Sequence, residues 1–458
     1  MRGYQTWVRW SICTVAACVL TGQVAAQTWT VTDLGSGKAE DINASGQVVG
    51  GGSDGWLWED GVRTDIGSLD GTGDNWCLAF SINDAGQIVG ESRDADDKLR
   101  GYLWEDGVMT DLGVLAGTTS RAFGINNVGQ VVGRSDYDEM GDHAYLWQDG
   151  VMTDLGTLVG SDWSKAYDIN ESGQAVGWSG TPQVDFRAVL WENGGVTSLG
   201  TLGGNKSEAF GITESASVVG YSYTEADERR AFLWQDGVMT DLGTLTGATD
   251  SHAWDINESE QVVGNSGGRA FLWQADTMTD LNDLIEPNAG WVLTEAYGVN
   301  DAGQIVGRGN SASAGGGRRA FLLTPPSTYT LTITIEGGPP FHPWGDVEAD
   351  PYSPTGEYAA GTEVTLEAIP RPWKVFEHWE IYDPNHPGDA NFAAVSQENP
   401  IIIVMDADRE VTAVFDRGQC GPGVEQALPL LVIGVGGCGF VARRRSGRPR
   451  VTRTPASS

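Results

Sequence analysis

One short motif, typified by INDAGQIVG, occurs seven times along the chain and constrains the fold more than any other feature. Its glycine position recurs at spacings of 40, 43, 44, 43, 44 and 43 residues. The aligned residues are Gly46, Gly86, Gly129, Gly173, Ala216, Glu260 and Gly303. Each copy is followed by a second element such as AYLW, and a third, such as GVMTDLG, completes the period. A period of this length is typical of one β-propeller blade.

Each period predicts four short strands. Segments rich in Val, Ile and aromatic residues alternate with turns rich in Gly, Asn and Asp, as in KAYDIN and QAVGWS on either side of residues 171–173. The AFLW-type segments are apolar at consecutive positions, so both of their faces must be buried. A blade stacked between two others buries both faces in this way. The sequence therefore predicts an all-β fold.

The phase of the repeats distinguishes a closed ring from an open β-solenoid. The chain begins with a third element, TWTVTDLG at residues 28–35, and the array ends with a first and a second element but no third. Residues 28–34 can therefore complete the last blade beside residues 319–323. We predict a seven-bladed β-propeller over residues 27–325 that is closed by its N-terminal strand, with an open β-solenoid as the alternative.

These repeats resemble the bacterial extracellular repeat named HAF after its His-Ala-Phe triplet. Residues 142–158, DHAYLWQDGVMTDLGTL, follow that pattern almost completely, and the likeness covers residues 28–323. Local departures occur at Ala216-Ser217 and Glu260, and Arg stands in five copies where His is expected. The resemblance implies export and a repeat fold, and it implies no activity.

Both ends of the chain carry features typical of exported proteins. Residues 1–26 combine Arg2 and Arg9, an apolar stretch and small residues, which is the layout of a secretory signal peptide. Residues 427–442 are apolar and are followed by a cluster of arginines. They predict a short membrane segment whose basic end stays in the cytoplasm.

Residues 326–417 alternate apolar and polar positions and predict a second, small β-rich domain. This region resembles the divergent internalin-type B repeat, a grasp-like module, in Gly361-Thr362 before VTLEA and in MDADREVTAVF. Residues 418–458 resemble bacterial tripartite sorting signals with Cys420 at the processing site. The resemblance of residues 418–458 to a sorting signal implies an envelope sorting protease as a partner and retention at the bacterial cell envelope.

The net charge argues against nucleic-acid binding, and the cysteine content argues against a disulfide framework and a zinc site. The chain carries −34, and the region between the net-positive ends is more acidic still. Such a surface repels nucleic acid, so nucleic-acid binding is excluded. After the signal peptide only Cys77, Cys420 and Cys438 remain, and they suggest neither a disulfide framework nor a zinc site.

No catalytic constellation is evident among the five histidines, because no Ser, Cys or acid is tied to any of them by spacing. We therefore expect a cell-surface binding or adhesion protein whose ligand is a glycan or another protein. A propeller enzyme acting on polysaccharide, either a lyase or a hydrolase, is one alternative. A purely structural surface-layer component is the other.

Two groups of residues are candidates for ligand contact. A repeat position at the start of the third predicted strand could form a cationic ring at one mouth of the propeller and bind acidic sugars, or could pair with the repeated Asp of the fourth strand. Its members are Arg100, His143, Arg187, Arg230, Arg269 and Arg319. The second group, predicted to be exposed, lies outside the repeated Trp position, which itself predicts packing between blades. Its members are Trp163, Trp178 and Trp291.

Acidic loops in the second and third blades are candidates for metal binding. Their density of carboxylates suits calcium, although neither loop matches a complete calcium-loop signature. The candidate ligands are Asp94, Asp96, Asp97, Asp136 and Asp138. We expect no cofactor, with calcium as the alternative.

Overall fold

The structure is a computed structural model. It describes residues 28–52, 54–71, 76–137, 141–181, 185–336, 345–350, 357–360, 363–370, 374–382, 393–397, 399–404, 409–417 and 432–433. Two compact units are present, Thr28–Pro325 and one that begins at Pro326. The predicted signal peptide, Cys420 and most of the apolar segment 427–442 lie outside the described residues.

The unit Thr28–Pro325 contains 28 strands and two single-turn 3-10 helices, Leu281–Asp283 and Ala312–Ala314. The strands are, in chain order, β1 (Thr30–Ser36), β2 (Lys38–Ile42), β3 (Val48–Gly51), β4 (Trp56–Glu59), β5 (Val62–Asp65), β6 (Cys77–Ile82), β7 (Ile88–Arg93), β8 (Leu99–Glu105), β9 (Val108–Asp111), β10 (Ser120–Ile125), β11 (Val131–Asp136), β12 (Asp142–Gln148), β13 (Val151–Asp154), β14 (Trp163–Ile169), β15 (Ala175–Thr181), β16 (Asp185–Glu192), β17 (Gly195–Gly200), β18 (Gly203–Ile212), β19 (Val218–Thr224), β20 (Arg229–Gln235), β21 (Val238–Asp241), β22 (Ser251–Ile256), β23 (Val262–Ser266), β24 (Arg269–Gln274), β25 (Thr277–Asp280), β26 (Trp291–Val299), β27 (Ile305–Ser311) and β28 (Gly317–Thr324).

These strands form seven antiparallel four-stranded blades, of which the fourth and fifth are also joined by one parallel bridge between Phe186 of β16 and Lys206 of β18. Six blades follow chain order: β2–β5, β6–β9, β10–β13, β14–β17, β18–β21 and β22–β25. The seventh consists of β26, β27, β28 and β1. The first strands of neighbouring blades contact each other all the way round, from β2 to β26 and back to β2. The unit is therefore a seven-bladed propeller whose first strands surround the axis.

Turn chemistry explains where the strands begin and end. The first and second strands are joined by an Asn-x-x-Gly turn, in which the Gly46 amide donates to the Asn43 carbonyl at 3.0 Å with a φ of +81° at the glycine. Two copies lack the glycine, yet Ala216 and Glu260 adopt the same left-handed conformation, with φ of +61° and +58°. A non-glycine residue pays about 1 kcal/mol for this conformation, so these departures weaken their turns without changing the fold.

Closure of the ring follows the predicted route. β1 pairs antiparallel with β28, from Thr30 opposite Thr324 to Ser36 opposite Arg319. A buried apolar cluster joins residues of β1 and the first blade to Val306, Ala320 and Leu322 of the seventh. The prediction of a propeller closed by its N-terminal strand is confirmed, and the open solenoid is excluded.

The core consists of apolar clusters that each span two adjacent blades. The AFLW-type strands are buried at consecutive positions, as in Val189, Leu190 and Trp191 of β16. The repeated tryptophans all pack against these clusters: Trp58, Trp104, Trp147, Trp191, Trp234 and Trp273. Their role in packing between blades is the one that the repeat position predicts.

The second unit is also all-β in its described part. Its strands are β29 (Thr328–Glu336), β30 (Gly345–Asp350), β31 (Glu357–Ala359), β32 (Glu363–Pro370), β33 (Lys374–Tyr382), β34 (Ala393–Ser396), β35 (Ile401–Val404), β36 (Arg409–Arg417) and β37 (Val432–Ile433). One sheet has the order β31-β29-β36-β33-β34 and the other β30-β32-β35-β37. Trp379, Leu366 and Val364 are fully buried in its core.

Val432 and Ile433, in the predicted membrane segment, form the short strand β37, which pairs in parallel with Ile402 and Ile403. The rest of that segment lies outside the described residues. Among the residues that the structure describes, no helix is long and apolar enough to cross a membrane.

Candidate functional site around the propeller axis

The axis of the propeller has two chemically different ends. At one end, the turn face, each first strand runs into its Asn-x-x-Gly turn. At the other, the bulge face, each first strand contains a β-bulge. Side chains from several blades converge at both ends of the axis, so each end is a candidate site.

Asparagine side chains link neighbouring blades at the turn face. In six blades the Nδ2 group donates to the main-chain oxygen of the equivalent residue in the next blade, at 2.9 to 3.0 Å. The donors are Asn43, Asn83, Asn126, Asn170, Asn257 and Asn300. The bond from Asn300 to Asn43 joins the last blade to the first. Thr213 of the fifth blade has no amide, so this ladder is open between the fifth and sixth blades.

Restoring the missing bond should stabilise the propeller. The variant Thr213→Asn is expected to gain about 1 kcal/mol, because its amide would donate to the Asn257 carbonyl as the other copies do. Melting temperature, measured by calorimetry, should rise by about 2 °C. The matched control Asn83→Thr opens the ladder elsewhere and should lower it. A Thr213→Asn variant that melts no higher than the parent would show that the ladder does not hold the blades together.

A cavity of about 220 Å³ lies on the axis inside the asparagine ladder, lined by residues of all seven blades. Its rim is acidic, but the carboxylates accept hydrogen bonds of 2.5 to 2.9 Å from main-chain N–H groups of the preceding blade. These acceptors are Asp84, Glu171, Glu214, Glu258 and Asp301. The acidic rim of the turn face therefore stacks the blades, as the asparagines do.

Three half-buried carboxylates lie deeper along the axis, on the first strands of the first, fourth and sixth blades. Asp168 shows the arrangement: one oxygen accepts from the amide of Ile169 at 2.8 Å, and the other from the amide of Ile212 in the next blade at 3.0 Å. Asp41 and Asp255 bridge blades in the same way. Burial raises the pKa of Asp168 to about 6, and it also raises the pKa of the other two.

Aromatic side chains surround the axis at the bulge face. In six consecutive blades the extra residue of the bulge is aromatic, and neighbouring ring centroids are 4.7 to 5.5 Å apart. We call this set the aromatic arc; it consists of Phe80, Phe123, Tyr167, Phe210, Trp254 and Tyr297. All six are half-buried. Glu40 takes the equivalent position in the first blade and interrupts the ring.

Directly beside the arc, one position on each first strand and its partner on the second strand differ from blade to blade. The first-strand members are Lys38, Leu78, Arg121, Lys165, Glu208, His252 and Glu295, and their partners are Gly51, Glu91, Arg134, Trp178, Tyr221, Asn265 and Arg308. The next first-strand position is Ala in all seven copies. These flanking positions therefore give an otherwise repetitive propeller a side that is chemically different at each blade.

Several flanking side chains form ion pairs. Arg121 Nε lies 2.6 Å from Glu91, Arg308 pairs with Glu295, and Lys38 pairs with Glu40 of the interrupted position. Burial raises the pKa of Glu91 and of Glu40. The bulge face thus combines half-buried aromatic rings with charged groups of both signs.

His252 is a flanking residue that behaves as an aromatic side chain. It is buried between blades, 3.8 Å from the ring centroid of Trp254 and 4.7 Å from that of Tyr221. Its Nε2 atom has no hydrogen-bond partner among the described residues. Burial, together with the charge of Arg229, lowers its pKa well below the ordinary value. His252 is therefore neutral at physiological pH and is not placed to act as a base.

The predicted cationic ring does not lie at the axis. Its six members are on third strands, two strands away from the axis, and five of them face the fourth-strand Asp. The distances are 3.6 Å for Arg100–Asp111, 3.0 Å for His143–Asp154, 3.8 Å for Arg230–Asp241, 2.8 Å for Arg269–Asp280 and 2.7 Å for Arg319–Asp33. Arg187, whose fourth-strand partner is a serine, pairs with Asp185 instead. The alternative of a cross-strand pair describes these residues.

The predicted exposed tryptophans occupy different environments. Trp178 is buried, with Lys165 Nζ 5.4 Å from its ring centroid, so the prediction that it is exposed is wrong. Trp291 packs against the core of the seventh blade, 6.3 Å from Phe321. Trp163 is half-buried at the start of β14.

The acidic loops are largely occupied by internal contacts. Asp94 accepts from the amides of Asp96 and Lys98 and from Arg100. Asp97 pairs with Arg93, and Asp136 accepts from Thr118 and Thr119. Asp138 lies outside the described residues. Within the part of the chain that the structure describes, no three His, Cys, Asp or Glu residues come together as a metal site.

The aromatic arc is the feature that the sequence analysis missed. A signal exists, because an aromatic residue recurs two positions before an Ile-Asn pair in four copies, before Ile-Thr in a fifth and before Val-Asn in a sixth. The aromatic residues of the AFLW-type element form a second repeated signal, and that signal indicates buried strands. Only the bulge, which shifts this residue out of the regular pleat, distinguishes an axial aromatic side chain from a core one.

Known structures with similar architecture share little sequence with this chain. A gluconolactonase from Xanthomonas campestris is 14% identical, with a TM-score of 0.34 over 66% of this chain and 92% of that one. The extracellular domain of a putative one-component system from B. thetaiotaomicron is 8% identical, with a TM-score of 0.41 over 76% and 46%. A putative TolB from Agrobacterium tumefaciens is 13% identical, with a TM-score of 0.33 over 64% and 91%. The propeller assignment rests on the strand topology and not on these likenesses.

No curated protein matches the sequence. The part of the chain with a family match is the second unit, for which the sequence analysis predicted the same resemblance. Residues 345–419 match the family model of the divergent InlB B-repeat domain.

Proposed function

We propose that this protein is a secreted binding protein of the bacterial cell envelope and that its propeller recognises a surface glycan at the bulge face. The observation that supports this most directly is the aromatic arc, six half-buried rings in contact around the axis. Aromatic faces offer large, rigid contact area to the apolar face of a sugar ring. The flanking charged side chains would orient the polar groups of the same ligand.

The remaining features of the chain fit this placement. HAF-like repeats, a B-repeat unit and a C-terminal segment resembling a sorting signal together describe a displayed propeller, a short stalk and an envelope anchor. An envelope sorting protease acting near Cys420, and the membrane, would be the partners of that segment. A protein ligand at the same face is the alternative to a glycan, and calcium in the acidic loops stays a proposal.

Truncating one ring of the arc should weaken glycan binding without unfolding the blade. The variant Phe123→Ala removes a half-buried ring that contacts its two neighbours in the arc, Phe80 and Tyr167. We expect the affinity for the ligands found on a glycan array to fall roughly tenfold, as for an aromatic contact residue. The measurement is calorimetric titration of residues 27–417, with and without calcium.

Tyr137 provides the matched control. It is an exposed aromatic residue outside the arc, directly after the second strand of its blade, with its ring stacked on His143 at 4.0 Å. Tyr137→Ala should bind glycan as the parent does. If Phe123→Ala retains full affinity at an unchanged melting temperature, or if Tyr137→Ala loses it, the aromatic arc is not the binding site.

A polysaccharide-degrading enzyme is the second candidate function. The axial carboxylates favour it, since Asp168 has a pKa raised to about 6 and a raised pKa is typical of a general acid. Their hydrogen bonds to main-chain amides of two blades argue for a structural role. Release of products from the same glycan array would establish catalysis, whereas selective binding without turnover supports the binding protein. A blank array would favour a protein partner or a purely structural surface component.

A further inference from the structure

Three cations stand next to one another beside the aromatic arc. Arg121 and Arg134 lie directly opposite each other on the first and second strands of the third blade. Lys165 takes the same first-strand position in the fourth blade. Like charges placed directly opposite in a sheet are destabilising unless they are compensated. No other blade places two cations at its flanking positions.

The carboxylates nearby pair with only two of the three cations. Glu91 pairs with Arg121, and Asp142 pairs with Arg134. The Lys165 ammonium has no hydrogen bond or ion pair with the described residues; its close contact is the ring of Trp178 at 5.4 Å, and the charge of Glu208 in the next blade acts on it at longer range. In a chain of net charge −34, a half-buried lysine with no ion-pair partner among the described residues, beside two arginines, is a candidate site for an external carboxylate.

The cations lie beside the rings that the proposed glycan would contact. Phe123 and Tyr167 are the arc residues of the same two blades, with centroids 5.3 Å apart, and each follows its cation by two positions in the chain. A sugar ring packed on this pair would carry its substituents toward Lys165 and the two guanidinium groups. Guanidinium and ammonium groups bind carboxylates through charge-assisted hydrogen bonds.

We propose that Arg121, Arg134 and Lys165 form a subsite for the carboxylate of an acidic sugar, so that the ligand is a uronate-containing glycan. This inference rests on the proposed function and specifies its ligand class. It differs from the cationic ring predicted on the third strands, whose members are paired within the propeller.

The variant Lys165→Met tests the subsite. Methionine keeps the apolar length that packs on Trp178 and removes the charge. The probes are a galacturonate oligomer and the same oligomer with its carboxylates reduced to alcohols, titrated against the immobilised full chain at low ionic strength. We expect the parent to prefer the acidic oligomer, and the variant to lose about tenfold in affinity for it while binding the neutral oligomer as before.

Lys206 is the matched control, since its ammonium also lies over an aromatic ring, that of Phe186 at 5.7 Å, but it does not occupy a flanking position: it precedes the flanking Glu208 of the fifth blade by two residues. Lys206→Met should leave both affinities unchanged. A second readout is pH: burial and the charge of Arg134 lower the pKa of Lys165 to about 8. Affinity for the acidic oligomer should therefore weaken from pH 7 to pH 9 in the parent but not in Lys165→Met.

The outcomes separate this inference from the proposed function. Equal binding of the acidic and neutral oligomers by the parent would overturn the carboxylate subsite and leave a neutral-glycan site on the arc. Failure of both oligomers and of every array glycan to bind would overturn both proposals. Binding of poly-glutamate as tightly as the acidic oligomer would assign the cations to acidic peptide and overturn the uronate ligand. A loss in Lys165→Met equal for both oligomers would show that Lys165 does not act on the carboxylate, and would overturn the subsite.

Discussion

Removal of residues 28–36 is expected to lower the melting temperature of the propeller by more than any single substitution. β1 supplies the outermost strand of the seventh blade and pairs along most of β28. Its Leu34 is 3% exposed and packs with the first blade. Losing this burial and the ladder hydrogen bonds should destabilise the fold by about 5 kcal/mol, or on the order of 10 °C. Thermal unfolding of residues 27–325 measures the effect.

A circular rearrangement separates the two ways in which β1 stabilises the ring: it completes the seventh blade, and it links that blade covalently to the first. Residues 28–36 can be moved to follow Thr324 through a two-residue Asp-Gly turn, like the turn at Asp149-Gly150, where both φ values are positive. The seventh blade would then be complete, but the chain would no longer join it to the first blade. Recovery of most of the lost stability is expected, and the remainder measures the covalent link. A deletion variant as stable as the parent would contradict closure by this strand.

The fold of the propeller could be predicted from the sequence. Blade number, strand order and closure depend on the phase of the repeats and on local turn residues, and both can be read directly from the sequence. Asp149-Gly150 and Asn43 with Gly46 each specify a turn without reference to distant residues. Burial of AFLW-type strands on both faces follows equally from consecutive apolar positions.

The location of the candidate site was not predictable in the same way. The sequence placed Arg187 and Arg230 at the start of third strands but did not show how far a third strand lies from the axis. They therefore suggested a ring at the mouth, whereas the structure places them two strands away from the axis. The aromatic arc depends on a bulge that places Tyr167 outside the regular pairing of its neighbours. The cation cluster of Arg121 and Lys165 joins residues 44 apart in the sequence, and only the stacking of two blades brings them together.

Stability of the propeller is expected to fall as the pH rises from 4 to 7, because Asp41, Asp168 and Asp255 lie half-buried on the axis. A carboxyl whose pKa is raised on folding contributes stability that is complete below the unfolded pKa and is lost as pH rises through the folded pKa. For Asp168 the shift from 3.8 to about 6 corresponds to about 3 kcal/mol. Asp41 and Asp168 also raise the pKa of Asp255 by charge repulsion. All three carboxyl groups therefore make the propeller less stable as the pH rises.

Two other aspartates, Asp94 and Asp136, are expected to reduce the stability of the propeller at low pH. Hydrogen bonds from main-chain amides and Arg100 lower the pKa of Asp94, and hydrogen bonds from Thr118 and Thr119 lower that of Asp136 against the effect of burial. Their contribution is present above the unfolded pKa and is lost as pH falls through the folded value. Melting temperature should therefore be highest at about pH 4 to 5, well below neutrality.

The variant Asp168→Asn identifies the axial carboxylates as the cause. Its amide oxygen can accept from one of the two main-chain amides, but its NH₂ group opposes the other, so the variant should be less stable than the parent at pH 4. As the pH rises to 8 the parent loses the contribution of protonated Asp168, and the difference in melting temperature should shrink. Asp106→Asn, in an exposed hairpin turn, is the control and should follow the parent throughout. A difference between Asp168→Asn and the parent that stays constant or widens toward pH 8 would show that Asp168 is charged in the folded propeller, and that its two amide hydrogen bonds outweigh its burial.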